Sequence, residues 1–193
     1  MNSIKTYNNY AKQAGVGLVE VLVALLVFSI GMLGVASLQV LSTKSSFEAQ
    51  QRQEAVLLAN EMVARMKSSG LTFLEAKDAA NYSDFNTTAI SDDAPVKVCN
   101  TAGSACTSAD LAAWDKYIWK RSVKAAAIDN MDNQGLLNAV GCVEFSADAD
   151  KTIRVVVSWD SMTSMGTKIT SDIPAGCRLG TNTQRHVIIR TFI

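Results

Sequence analysis

Histidine is almost missing from this chain: His186 is the single one among 193 residues. A catalytic site needs a base, a nucleophile and an orienting group within mutual reach. His186 stands beside Arg185 inside an alternating run near the C-terminus, where a lone histidine reads as a surface or edge residue. The sequence holds no G-x-S-x-G, no H-E-x-x-H, no phosphate-binding glycine loop and no paired-carboxylate motif. No catalytic residue and no cofactor is therefore expected, and the chain reads as a non-enzyme. Prolines number two, and there is no repeat or low-complexity tract. Net charge is also missing, since 18 basic residues balance 18 acidic ones. That gives no electrostatic case for binding nucleic acid directly. No C-x-x-C spacing occurs, which argues against zinc. The aspartates between Asp129 and Gly135 faintly suggest a calcium loop, but Gly141 stands where an EF-hand needs its bidentate glutamate. They read as turn formers, and no metal site is expected.

What the chain does have is an uncharged apolar segment from Val21 to Leu41, VLVALLVFSIGMLGVASLQVL. As a helix rising ~1.5 Å per residue it is ~30 Å long, about one hydrocarbon core. Lys5 and Lys12 precede it, with no acid until Glu20. Positive charge stays on the cytoplasmic side, so the C-terminal bulk is expected to be exported. Glu20 heads the segment alone. An acid in a membrane helix costs ~2.5–3.5 kcal/mol at the centre, even on lenient insertion scales. Such a group asks for a partner or a function. Two plainer readings stand beside this one: a signal anchor whose acid reaches the interface, or a secretory signal peptide cut near Gly34-Val35-Ala36. Against the second, the run outlasts an ordinary signal core and continues into a helical pattern with no loop.

Four cysteines, Cys99, Cys106, Cys142 and Cys177, lie on the exported side, where thiols oxidise. Three pairings are open to them. The favoured one joins Cys99 to Cys106 and Cys142 to Cys177; buried free thiols are the alternative.

The stretch from Gly15 to Leu41 resembles the class III signal of type IV prepilins. In that family a glycine precedes the cut and a glutamate is the fifth residue after it, the spacing of Gly15 and Glu20 here. The resemblance implies cleavage between Gly15 and Val16 by a prepilin peptidase, and N-methylation of Val16, although the family more often has an aromatic residue there. It assigns Glu20 to assembly, as the counter-charge of a neighbouring subunit's new terminal amine. A glycine at the cut suits this, because its backbone enters a protease cleft with no Cβ in the way. A buried acid in a filament core needs such a counter-charge.

The resemblance also implies an α+β, pilin-like fold: a long N-terminal helix, transmembrane in its N-terminal half, packed on a C-terminal antiparallel β-sheet domain. On that reading residues 1–15 are the leader, 16–69 the helix with 21–41 as membrane span and filament core, and 70–193 the globular head. The pattern agrees, with Phe47, Ala55, Leu58, Ala59, Met62 and Met66 forming one apolar stripe that Gly70 ends. Gly31 and Gly34 read as close-packing positions or a weak point in the apolar half. Asn81 to Pro95 reads as loop and Pro95–Cys99 as a short strand. Thr107 and Asp110 form a capping box opening a second helix through Leu111, Trp114, Ile118 and Ala125, with Lys120, Arg121 and Lys124 at a solvated end. Ala139–Ala147, Thr152–Asp160 and Arg185–Ile193 read as strands, the first two joined by a hairpin at 147–151, with Ile153, Val155, Val157 and Trp159 on one face.

The run Leu18–Gln39, the helix around Leu111–Trp114, the glycine-preceded strand at Val143 and Val155–Trp159 resemble the V-type minor pilins, the PilV or type IV pilus modification family. The implied partners are the prepilin peptidase, other minor pilins, the major pilin and the inner-membrane assembly platform. The implied location is the inner membrane, single-pass with a periplasmic C-terminus, and then the pilus. A minor pseudopilin of type II secretion is the alternative within this class. A signal-anchored periplasmic binding protein or enzyme is the alternative outside it.

Overall fold

A computed structural model describes residues 15, 17–68, 81–82, 84–100, 105–128, 135–145, 152–164 and 173–192. The expected stop at Gly70, the hairpin at 147–151, and Asp129 through Gln134 lie outside these. The chain forms two units, Met1–Ser45 and Ser46–Ile193. Helix α1 runs Leu18–Ser68, against 16–69 read from the pattern.

In the first unit every described residue is exposed, from Leu18 through Leu41 and on to Ser45. The helix forms there because all its backbone bonds are internal, which an apolar surrounding requires and which outweighs weak helix formers such as Val21, Val23, Val27, Gly31 and Gly34. Its few polar groups are satisfied locally. Ser29 donates to the Leu25 carbonyl at 2.7 Å, Ser37 to Leu33 at 3.0 Å and Thr43 to Gln39 at 2.9 Å. Such i−4 bonding hides a hydroxyl against its own helix, which an apolar surrounding requires.

In the second unit α1 buries one stripe, Gln51, Ala55, Leu58, Ala59, Met62, Val63 and Met66. Strands β1 (Phe85–Asn86), β2 (Ala127–Ile128), β3 (Leu136–Phe145), β4 (Thr152–Asp160) and β5 (Gln184–Phe192) follow, with helix α2 (Ser108–Ala126) between the first two. The sheet is antiparallel in the order β1-β3-β4-β5, and β2 adds a short parallel pairing to β3. Val143 faces Val155, and Val157 faces Val187. The register of β3 shifts between Leu137 and Val140. Asn138 has φ +51° there, and its amide donates to Asp160 at 3.0 Å. Asparagine is among the few residues that tolerate this backbone.

The main core joins the α1 stripe to Trp119 and Val123 of α2 and to Leu136, Val143, Ile153, Val155, Val157 and Trp159 of the sheet. A second cluster lies behind it: Val140, Cys142, Val156, Ile173 and Cys177. Residues 173–179 cover this reverse face, with a 3-10 turn at Ala175–Cys177. Burial on both faces explains the unbroken Val155-Val156-Val157, where a half-exposed strand would alternate.

Three expectations are corrected. Pro95–Cys99 is irregular, not a strand; the edge of β3 is taken by Phe85–Asn86, which lies in the stretch read as loop, and Val96 and Val98 point to solvent. The buried face of α2 is Ala112, Asp115, Trp119 and Val123, while Ala125 is exposed. Lys120 is buried instead of solvated: its ammonium donates to the Ile90 carbonyl and pairs with Asp92 at 3.0 Å, and Lys124 meets the same Asp92 at 2.6 Å.

Candidate functional site: the N-terminal assembly segment

Gly15 and Gly17 are exposed, and Val16 lies outside the described residues. The Gly17 carbonyl accepts the amides of Glu20 at 2.9 Å and Val21 at 3.3 Å, so the helix begins immediately after it. Glu20 falls in the first turn and is exposed. Unpaired N–H groups and the helix dipole place partial positive charge there, which favours a carboxylate. A cut at Gly15–Val16 would add a full α-ammonium just ahead of that turn. From Val21 to Leu41 there is no other ionisable group. Among the described residues nothing covers this apolar surface. By length and composition the helix is able to cross a membrane. The arrangement suits two tasks in turn, residence in lipid and burial against helices of the same kind.

Residues 10–36 match the model of the prokaryotic N-terminal methylation motif. That motif supports a type IV pilin-like protein. It implies processing by a prepilin peptidase and pilus-type assembly partners, and it points to a structural pilin instead of an enzyme. No curated protein and no solved structure matches the chain. The long apolar helix and the antiparallel sheet form an α+β, pilin-like fold. Helix and motif together fit a membrane-anchored pilin.

The cysteines are brought together in two pairs. Cys99 joins Cys106 with Cα atoms 6.1 Å apart, and Cys142 joins Cys177 at 5.9 Å. The first closes a loop ahead of α2. Lys97 reinforces it, donating to the Ala105 carbonyl at 3.3 Å and to Asp110 at 3.0 Å. The capping box is formed as well: the Thr107 amide donates to Asp110 at 3.0 Å, and the Asp110 amide to the Thr107 hydroxyl at 3.2 Å. The Thr107 amide, then Lys97, hold the Asp110 carboxyl down at about 2. The second disulfide ties the 173–179 cover to β3. Among the described residues no group of three His, Cys, Asp or Glu is placed to hold a metal.

Sequence reasoning missed the polar ties that hold α1 to the rest of the second unit. Glu48 accepts from Thr163, from Ser161 at 3.2 Å, and pairs with Arg185 at 3.7 Å. The Thr163 hydroxyl is the main reason its carboxyl titrates low. Gln51 donates to the Gly135 carbonyl at 3.0 Å. Asp115 accepts from Tyr82 at 2.7 Å and from Arg65 at 3.4 Å, while its burial pushes its carboxyl up. A polar residue at an in-facing position of the α1 stripe, as Gln51 is, was the available signal.

Proposed function

We propose that this chain is a minor pilin of a type IV pilus, of the V type, that helps prime filament assembly. In this reading the peptidase cuts between Gly15 and Val16 and methylates Val16. Residues 16–69 then serve as spine and 70–193 as head, held in the inner membrane with the head in the periplasm until assembly. Glu20 pairs with the terminal amine of an adjacent subunit and so sets the axial stagger between helices. Other minor pilins, the major pilin and the assembly platform are its partners, and pilus extension underlies twitching, adhesion or DNA uptake. The observation that carries this reading is an exposed apolar helix bearing one carboxylate in its first turn, inside a prepilin-type motif.

The test is intact mass and N-terminal sequencing of native protein. Loss of Met1 to Gly15 with one methyl group on Val16 is expected. A chain still starting at Met1, or one cut near Ala36, overturns the reading. A deletion strain separates pilus from secretion: loss of surface pili supports a pilus role, whereas intact pili with blocked exoprotein release assign the chain to type II secretion.

A further inference from the structure

Between α2 and the irregular chain at 90–96 lies a groove of about 480 Å³. Its floor is one face of α2, Ala109, Ala113, Lys116 and Tyr117, and Pro95 and Val96 form its lip. Two small alanines leave the floor low. The lip is held off the helix by fixed ties. Lys120 holds the Ile90 carbonyl, Lys120 and Lys124 hold Asp92, and Lys97 holds Asp110 and the chain beside the Cys99–Cys106 bridge. A loop with almost no regular structure is thus pinned at both ends, which leaves the groove preformed.

Two of its lining residues, Lys116 and Val96, call for a partner. The Lys116 ammonium lies 4.9 Å from the centre of the Phe85 ring, and no carboxylate among the described residues pairs with it. Burial lowers its pKa, the mark of a cation short of water and counter-charge. Val96, on the lip, is wholly exposed, and Val98 beyond it is about half exposed. A free anion meeting Lys116 would leave this apolar lip in water, whereas a peptide segment covers both. Asp93 also lines the groove, so only one carboxylate is welcome there, and it belongs at Lys116.

We propose that this groove docks an acidic peptide segment of a partner protein, one carboxylate meeting Lys116 and an adjacent apolar side chain lying on Ala109, Ala113 and Val96. The site draws nothing from the N-terminal motif and stands apart from the pilin reading. The test uses the full chain in detergent micelles, isotope-labelled for NMR, titrated with acetyl-Leu-Asp-Leu-amide and, separately, acetyl-Leu-Asn-Leu-amide. Saturable shifts at Val96, Ala109 and Ala113 are expected with the aspartate peptide. Affinity should fall about tenfold or more for the asparagine peptide, or in Lys116→Met, as for loss of a charge-assisted hydrogen bond. Val96→Ser, at a position too exposed to affect folding, should weaken both peptides. No saturable shift up to the solubility limit, equal affinity for the two peptides, or undiminished affinity in Lys116→Met overturns the proposal.

Discussion

Trp119 and Gly141 are a matched pair. The indole N–H of Trp119 donates to the Leu58 carbonyl of α1 at 2.8 Å, and its six-membered ring lies flat over the one position in β3 with no side chain. A Cβ on Gly141 would stand 2.4 Å from the ring's Cη2 atom, in a residue with no exposed surface to move into. Gly141→Ala should therefore cost about 1–3 kcal/mol, the usual range for overpacking. Trp119→Phe removes the outer ring and should relieve the clash, so the double variant should be more stable than the sum of the singles allows. Thermal melts of the three variants measure that coupling, and simple additivity would show that the ring does not dictate the glycine. Glu20 makes no such contact among the described residues, so the proposed function places its value in the filament. Glu20→Ala should insert and be cleaved normally but be poorly recovered in sheared filaments; normal recovery would remove the counter-charge argument.

Helix α2 shows how much of an element can be read in advance and where the reading stops. Its start was legible because Thr107 and Asp110 carry the capping geometry in their spacing. Its buried face was not. Two apolar stripes run side by side, one through Leu111, Trp114 and Ile118 and one through Ala112, Trp119 and Val123. What decides between them is the gap over Gly141, a residue 22 positions beyond Trp119 and on another element. Long-range contacts likewise set the edge of β3, which takes Phe85–Asn86 and leaves Pro95–Cys99 unpaired. By contrast α1 and β4 were legible from local pattern alone, through missing charge, three-and-four spacing, and a β-branched run. The candidate site was legible for the same reason: a charge-free segment with one acid is a local feature. The cap makes a further prediction. Thr107→Ala should cost about 1 kcal/mol in thermal or denaturant unfolding. Asp110 titrates below its ordinary 3.8, so its stabilising contribution is complete above that value and fades as pH falls toward about 2. Asp115, pushed upward by burial, works the opposite way, because the folded protein takes up its proton before the unfolded chain does. In denaturant midpoints measured down this window, Asp110→Asn should lose less stability than the parent chain; an identical decline would mean that the carboxylate adds nothing to the cap.

The two units depend on different things for their order. Met1–Ser45 offers described side chains that are all exposed, so its apolar surface is satisfied only by lipid or by other helices. Ser46–Ile193 has its own core on one face of the sheet and a smaller cluster on the other. The smaller cluster has few apolar groups of its own, and its cover at 173–179 is fastened by one covalent link, Cys142–Cys177. A crosslink of sequence separation 35 is worth ~4 kcal/mol in the chain-entropy account, while one of separation 7 is worth ~2 kcal/mol. The two bridges also differ in what their loss uncovers. Opening Cys99–Cys106 frees a loop that Lys97 still holds to Asp110. Opening Cys142–Cys177 leaves the cover on two hydrogen bonds with Gln184, at Cys177 and Leu179, and is expected to wet the reverse face of the sheet at Val140 and Val156. The paired replacement Cys142→Ser with Cys177→Ser should thus lower the melting temperature more than Cys99→Ser with Cys106→Ser, and it alone should raise binding of a dye that reports exposed apolar surface. A larger loss from the Cys99–Cys106 replacement would mean that the reverse face of the sheet stays closed on packing alone. Stability would then not depend on oxidation at Cys142 and Cys177.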